Sequence, residues 1–389
     1  MEMDPEYCHT EGMPIFSRRE CLRLMCRTGA GLAATQVALK ALDWFIPCAH
    51  ARSLSKSLHQ AMFFKRMSRQ RVQCELCPRT MIISAGKSCF CRTRKNIKGT
   101  LYALGFNKPC VVNFEPIERG PLYHFYPGNK TMSLGAAGCN LNCLYCQNYE
   151  LSQRSPEKVK TIDLEPATAF RKGAIKSVTI TYTDPACQPE YVIEIAKTAK
   201  KHNLPVILCT AGYINFKPLE HIISFVDAFA VTLKAITDEM YLKLTGVHLE
   251  PVLRTIKQIK KSGKWLEIVT LVVPGYNDDR KGIQTAATWI RDNVGKDTPW
   301  HLSRFTPQYK LRKLPPTPRK TLEEARKEGL KAGLDYVYIT NLAPHQGNHT
   351  YCPNCRKKII ERLGFKTKKI NMNGGDCKFC GKKIPGKWS

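Results

Sequence analysis

Between Thr131 and Thr340 the chain repeats one unit: a short β-rich run, then a stretch with helical spacing, then another run. The runs are Ser177–Thr183, Pro205–Thr210, Asp227–Leu233, Trp265–Val273, His301–Phe305 and Asp335–Thr340. Glu250–Lys261 is the clearest of the intervening windows. Its Val252, Leu253, Ile256 and Ile259 share one face, Arg254, Lys257, Lys260 and Lys261 face water, and Gly263 supplies a stop just beyond. Such alternation demands a parallel sheet with helices outside it, and a run this long predicts a full or partial (β/α) barrel. In barrels of this kind the chemistry gathers at the C-terminal ends of the strands.

The cysteines fall into close groups. Cys139, Cys143 and Cys146 stand in the stretch Gly138-Cys139-Asn140-Leu141-Asn142-Cys143-Leu144-Tyr145-Cys146-Gln147-Asn148. Three thiolates on one short loop can hold three irons of a [4Fe–4S] cube and leave the fourth iron open to bind and activate a ligand. Gly138 and Asn140 suit a tight loop, which argues against three ordinary core cysteines. Near the C-terminus, Cys352-Pro353-Asn354-Cys355 and Cys377-Lys378-Phe379-Cys380 form two C-x2-C knuckles. Their spacing is that of a zinc ribbon; a second iron–sulfur centre and a redox dithiol are the other readings. A third set, Cys74, Cys77, Cys89 and Cys91, could close another four-sulfur metal site.

Eighteen cysteines, eleven of them in these groups, argue against a secreted disulfide scaffold and place folding in a reducing compartment, with oxygen sensitivity expected. The formal net charge of +29 suits an anionic partner such as RNA, an acidic protein or a membrane surface, and equally a solvated, lysine-coated exterior. No RNA-binding signature accompanies it.

The first residues read differently from the rest. Ser17-Arg18-Arg19-Glu20-Cys21-Leu22-Arg23 looks like a twin-arginine export motif, followed by the mildly apolar Thr28–Leu42 and by Ala49-His50-Ala51. Lys40 and Asp43 interrupt the apolar run and rule out a comfortable membrane span. An ordinary amphipathic helix is the alternative. The expected organisation is a leader over 1–51, a Cys-rich and connector region over 52–130 with Asn107–Gly128 extended, a barrel over 131–345 and a ribbon over 346–389. A cytoplasmic location is expected, with export left open by the leader.

Further short motifs follow in order: Cys74-x-x-Cys77-Pro78, Pro116-Ile117-Glu118, Pro121-Leu122-Tyr123-His124-Phe125, Tyr182-Thr183-Asp184-Pro185, Leu249-Glu250-Pro251-Val252-Leu253, Pro274-Gly275-x-Asn277-Asp278, Trp300-His301-x-Ser303-Arg304-Phe305 and Tyr351-Cys352-Pro353-Asn354-Cys355. With the cysteine loop, these make the chain from about Gln73 to Trp388 resemble radical S-adenosylmethionine enzymes similar to pyruvate formate-lyase activating enzyme, and among them the radical enzyme of the AmmeMemoRadiSam system.

The resemblance implies a partial (β/α)6 TIM-like barrel, a [4Fe–4S] cluster on Cys139, Cys143 and Cys146, and S-adenosylmethionine on the open iron. One electron from such a cluster breaks a carbon–sulfur bond of that cofactor and releases a 5′-deoxyadenosyl radical. Tyr145 then corresponds to the residue packed on adenine. Tyr182, Thr183 and Asp184 correspond to the motif that holds the methionine amino group, with aspartate here in place of glutamate; Asp184 also suits a helix N-cap. Lys234 matches an Asp-Leu-Lys motif that reads Thr232-Leu233-Lys234 in this chain. Lys234 and His301 are the catalytic candidates, with Arg304 a further contact. Met81 stands where relatives have a third N-terminal cysteine, with Cys89 added beside Cys91. Implied partners are a low-potential donor of flavodoxin or ferredoxin type and AmmeCR1-like and Memo-like proteins. Three functions are consistent with these features: hydrogen abstraction from a protein glycine or small molecule, radical RNA modification, and an altered relative that uses its cluster only for electron transfer or binding.

Overall fold

The computed structural model describes residues 58–172 and 174–388, so the leader motif expected over 1–51 lies outside the described residues. Among them no helix is long and apolar enough to cross a membrane.

The core is one sheet, ordered β1 (Pro109–Pro116), β2 (Lys130–Ala136), β3 (Ser177–Ile180), β4 (Val206–Thr210), β5 (Ala228–Thr232), β6 (Trp265–Val272), β7 (Trp300–Arg304) and β8 (Val337–Thr340). Strands β2 to β8 run parallel, and β1 pairs antiparallel with β2. The two edges, β1 and β8, do not pair, so the sheet curves without closing. Each β-rich run of the sequence became a strand because its Val, Ile and Leu side chains are buried on both faces, as a helix-covered parallel sheet requires. The expectation of six strands is corrected to seven parallel ones with an antiparallel eighth at the edge. The connector expected over Asn107–Gly128 supplies that edge strand, with prolines at both ends where a ladder can spare an N–H.

Helices α1 (Pro189–Lys201), α2 (Phe216–Ile223), α3 (Asp238–Thr245), α4 (Glu250–Lys261), α5 (Arg280–Val294) and α6 (Arg319–Lys331) cover the outside of the sheet. Helix α4 has the bounds its periodicity predicts, burying Val252, Ile256 and Ile259. Gly263, just past its end, takes the left-handed φ of 74° that a non-glycine residue resists.

Beyond β1 the chain turns into the concave side of the sheet. Ile117, Leu122 and Phe125 pack there with Ile207, Ala228, Ala230 and Val269 as a small apolar cluster of their own. A polar seal lies beside it. The Glu267 carboxylate accepts backbone N–H bonds from Tyr123 (3.0 Å) and His124 (2.8 Å), the indole N–H of Trp265 (3.0 Å) and a bond from His301 Nε2 (2.6 Å). His124 reaches the Pro385 carbonyl at 2.7 Å and the Tyr338 hydroxyl at 2.6 Å, which ties the C-terminal segment to the sheet. Burial pushes the His124 pKa down to about 4. The imidazole is therefore neutral in the folded chain but protonates near 6.5 when unfolded, so stability should fall as pH drops from about 6.5 towards 4, by on the order of 3 kcal/mol. Urea melts across that window should show the loss, and His124→Gln should flatten it.

The C-terminal segment forms a three-stranded antiparallel sheet, Thr350–Tyr351, Lys358–Leu363 and Lys366–Ile370, then a hairpin of Met372–Asn373 with Asp376–Cys377. Tyr336 and Tyr338, at the start of β8, join Tyr123, Ile359, Ile360 and Ile384 in its core. The segment therefore packs at the N-terminal ends of the strands. Residues 58–105 form two small antiparallel sheets that rest against α1 through the fully buried ion pair Arg94–Glu190, 2.6 Å apart.

Candidate cofactor cavity

At the opposite end, where the parallel strands finish, a cavity of about 1330 Å³ opens to solvent. Every parallel strand delivers residues to it from its last two positions or just beyond: Cys139, Cys143 and Cys146 after β2, Tyr182–Asp184 after β3, Thr210 and Ala211 at β4, Thr232 and Lys234 at β5, Leu271 on β6, Ser303 on β7 and Asn341 after β8. Its floor is Gly120, whose carbonyl accepts a 2.9 Å bond from the Cys209 thiol. The inward turn of the chain after β1 thus closes the bottom of the cavity.

The cysteine loop has no regular structure of its own, so its backbone groups are satisfied from outside. Asn142 N–H donates to the Thr245 carbonyl and Leu144 N–H to that of Leu244, both at 2.9 Å, while Lys310 N–H donates back to the Leu144 carbonyl. The Asn140 side chain donates to the Tyr213 carbonyl at 2.7 Å, and Arg79 donates to the carbonyls of Asn140 and Gly246, each at 3.0 Å. The loop is thus held from α3, from the β4–α2 connection and from the N-terminal sheets.

Its thiols carry further polar contacts. Cys139 Sγ accepts from Leu141 N–H at 3.4 Å, and Cys146 Sγ lies 3.2 Å from the Ser152 hydroxyl. Bonds of this kind tune a bound cluster. Burial pushes the Cys139 thiol well above its ordinary pKa and Cys143 up to about 11, where Lys234 partly opposes the shift.

Asp184 is buried. Its carboxylate accepts from the Thr210 hydroxyl (2.6 Å), Ala186 N–H (3.1 Å) and Ala211 N–H (3.2 Å), leaving acceptor capacity for one further partner. The N-cap reading and the cavity position hold together, because the bond to Ala186 caps the short turn Pro185–Cys187. Burial raises the Asp184 pKa against those hydrogen bonds. Tyr182 takes a left-handed φ of 70°, which turns Thr183 and Asp184 towards the cavity. Gly135 permits the close approach, since a Cβ there would stand 2.6 Å from the Thr181 carbonyl. Lys234 makes no ion pair with a carboxylate among the described residues; its Nζ stands 5.6 Å over the Tyr145 ring.

His301 and Arg304 are placed otherwise than the sequence suggests. His301 is fully buried one layer below Ser303, bonded to Glu267 in the seal beneath the cavity, and it does not line the site. Arg304 faces outward and donates to the Thr317 carbonyl at 3.0 Å. Sequence reasoning missed Glu115, Arg119, Thr210, Ser303 and Asn341, which line the cavity. Asn341 donates to Ser303 at 2.8 Å. Ser303 stands in a quoted motif but was given no role, whereas Glu115, Thr210 and Asn341 lie at or just past strand ends and Arg119 in the turn after β1, with nothing local to mark them.

The residues fit an iron–sulfur cluster with an adenosylated ligand. The three loop thiols share one cavity but do not gather within the 4.8 Å that characterises the C-terminal quartet, as ligands to separate corners of a cube should not. The buried Tyr145 hydroxyl has no hydrogen-bond partner, so a polar group of a ligand would satisfy it. At the C-terminus, Cys352, Cys355, Cys377 and Cys380 bring all four sulfurs within 4.8 Å, with Cys352–Cys380 at 3.6 Å and Cys355–Cys377 at 3.8 Å. One tetrahedral ion with thiolates at about 2.3 Å sets sulfur–sulfur edges of about 3.8 Å.

The Radical SAM superfamily model matches residues 135–284, which include the cysteine loop and strands β3 to β6. An uncharacterized protein of Methanocaldococcus jannaschii is 40% identical over 333 residues, 84% of this chain and 99% of the relative. Pyruvate formate-lyase-activating enzyme of Clostridium pasteurianum is 27% identical over 223 residues, 53% of this chain and 93% of the relative. Pyruvate formate-lyase 1-activating enzyme of Escherichia coli K12 is 26% identical over 206 residues, 49% and 84%. The chain belongs to the radical S-adenosylmethionine superfamily. Membership implies a [4Fe–4S] cluster, S-adenosylmethionine and a reductant such as flavodoxin or ferredoxin.

Proposed function

We propose that the chain cleaves S-adenosylmethionine reductively and uses the resulting 5′-deoxyadenosyl radical to take a hydrogen atom from a protein or small-molecule substrate, in the manner of an activating enzyme. The observation that carries this reading is the convergence of Cys139, Cys143 and Cys146 with Asp184, Lys234 and Tyr145 on one cavity at the strand ends. The cluster supplies the electron and the open iron. Cys139, Cys143 and Cys146 hold it. The free acceptor position on Asp184 receives the methionine ammonium, and Thr210 and Ala211 keep the short carboxylate aimed. Tyr145 stacks beside the nucleoside, and Lys234 supplies positive charge where Thr232 offers only a hydroxyl. Glu115 and Arg119, paired at 3.1 Å at the cavity wall, are placed to meet the substrate. A role in the AmmeMemoRadiSam system, with AmmeCR1-like and Memo-like partners, is part of the same proposal and rests on the sequence motifs between Gln73 and Trp388.

Protein reconstituted anaerobically with iron and sulfide, then given dithionite and S-adenosylmethionine, should yield 5′-deoxyadenosine and methionine; no product from cluster-loaded protein overturns the reading. The C-terminal quartet holds one structural zinc. Elemental analysis should find about one zinc per chain, lost in Cys377→Ser.

A further inference from the structure

Five other cysteines meet on the far side of the same loop. Cys74, Cys77, Cys89, Cys91 and Cys187 line one pocket of about 320 Å³, together with Leu76, Met81, Phe90, Arg79 and Asn140. Cys74, Cys89, Cys91 and Cys187 are buried and Cys77 is half-buried. Sulfurs so concentrated in a buried place want either a metal or a partner sulfur. They do not suit one ion, because among the described residues only the C-terminal quartet brings three or more ligand atoms within 4.8 Å of one another.

The surroundings are those of a charged sulfur centre. Arg94 is fully buried, and its guanidinium donates to Cys74 Sγ at 3.7 Å while its other arm pairs with Glu190. The Thr93 hydroxyl lies 3.1 Å from Cys91 Sγ. Met81 does not act as a spare ligand, since its sulfur already accepts from Phe90 N–H at 3.2 Å.

This space and the cofactor cavity share a wall. A Cβ on Gly138 would stand 2.7 Å from the Cys91 carbonyl and 2.3 Å from a Thr93 methyl, so the cysteine loop lies directly on the Cys91 peptide. Asn140 belongs to the loop and lines the second space. The same Thr93 hydroxyl that approaches Cys91 Sγ donates to the Cys187 carbonyl at 3.1 Å, and Cys187 lines the second space as well.

We propose that Cys74, Cys77, Cys89 and Cys91 hold a second iron–sulfur cluster, back to back with the cysteine loop, as the point where an electron from a flavodoxin- or ferredoxin-type donor is received. The receiving role rests on the radical-chemistry reading; the iron site does not. A single electron moves and no bond is made or broken.

The test is iron in a chain that cannot build the loop cluster. After anaerobic reconstitution, Cys139→Ser/Cys143→Ser/Cys146→Ser should retain about two to four irons per chain and a low-temperature paramagnetic signal on reduction. Adding Cys74→Ser and Cys91→Ser should bring both to background. The converse variant, with only Cys74→Ser and Cys91→Ser, should lose the complementary share of iron, which guards against misfolding of the first. In reduced unsubstituted protein the two signals should be broadened and split by each other. A folded triple variant without iron, zinc in place of iron, or disulfides among these cysteines overturns the site; two signals that ignore each other overturn the receiving role. None of these outcomes depends on S-adenosylmethionine being cleaved.

Discussion

Cys143→Ser is expected to lower 5′-deoxyadenosine formation by roughly a thousandfold or more, to the level of protein without iron, while leaving the fold intact. Two loop thiols remain, and two cannot hold three corners of a cube. Nor can serine replace the third. Burial already pushes the Cys143 thiol up to about 11, so only a metal draws off its proton at neutral pH, and an alcohol is far more reluctant still. The loop itself should stay in place, because the bonds to Thr245, Leu244, Tyr213 and Arg79 come from backbone groups and from Asn140 rather than from sulfur. Circular dichroism and thermal melting of the metal-free variant should therefore match the metal-free parent within about 1–2 kcal/mol. A variant that still forms 5′-deoxyadenosine would remove Cys143 from the cluster.

Glu190→Gln is the second large effect, and it acts on stability. Arg94 and Glu190 are both fully buried, 2.6 Å apart, and join the N-terminal sheets to α1. Burying a charge is costly, and the cost is offset only while its counter-charge is present. Glutamine keeps the shape but leaves the guanidinium uncompensated, so the loss should be about 3–5 kcal/mol. For a unit of this size that is about 4–7 °C in melting temperature. The double replacement Arg94→Met/Glu190→Gln should recover part of it, since removing both charges leaves none unpaired. If the single variant melts with the parent, the pair is not holding the N-terminal sheets.

Much of the fold is legible in the sequence, for physical reasons. Runs such as Val206–Leu208 and Phe229–Val231 are buried on both faces, so continuous apolar residues mark them, and α4 carries its bounds in its own periodicity. The edge strand Pro109–Pro116 is harder to see: only one side of it is paired, so polar and exposed residues are tolerated along its length. At the site, spacing marks Cys139, Cys143 and Cys146 because a cube imposes it. No spacing marks Ser303 or Asn341, which become neighbours only when β7 and β8 pair. His301 misleads for the same reason. It shares a strand face with Ser303, but two residues towards the start of the strand is one layer deeper, where Glu267 already claims its ring. The pairing of Arg94 with Glu190, 96 residues apart, leaves no local trace at all.

The clamp on the cysteine loop also sets a schedule. Arg79 bridges Asn140 and the Gly246 carbonyl, 167 residues further along from Arg79, and Thr245 and Leu244 hold the loop backbone. The thiols are made early in synthesis, yet their cradle does not exist until α3 has been translated and has docked. Iron delivered to the nascent chain would meet a loose segment with unfixed sulfurs, so cluster insertion belongs after translation, on a nearly finished apoprotein.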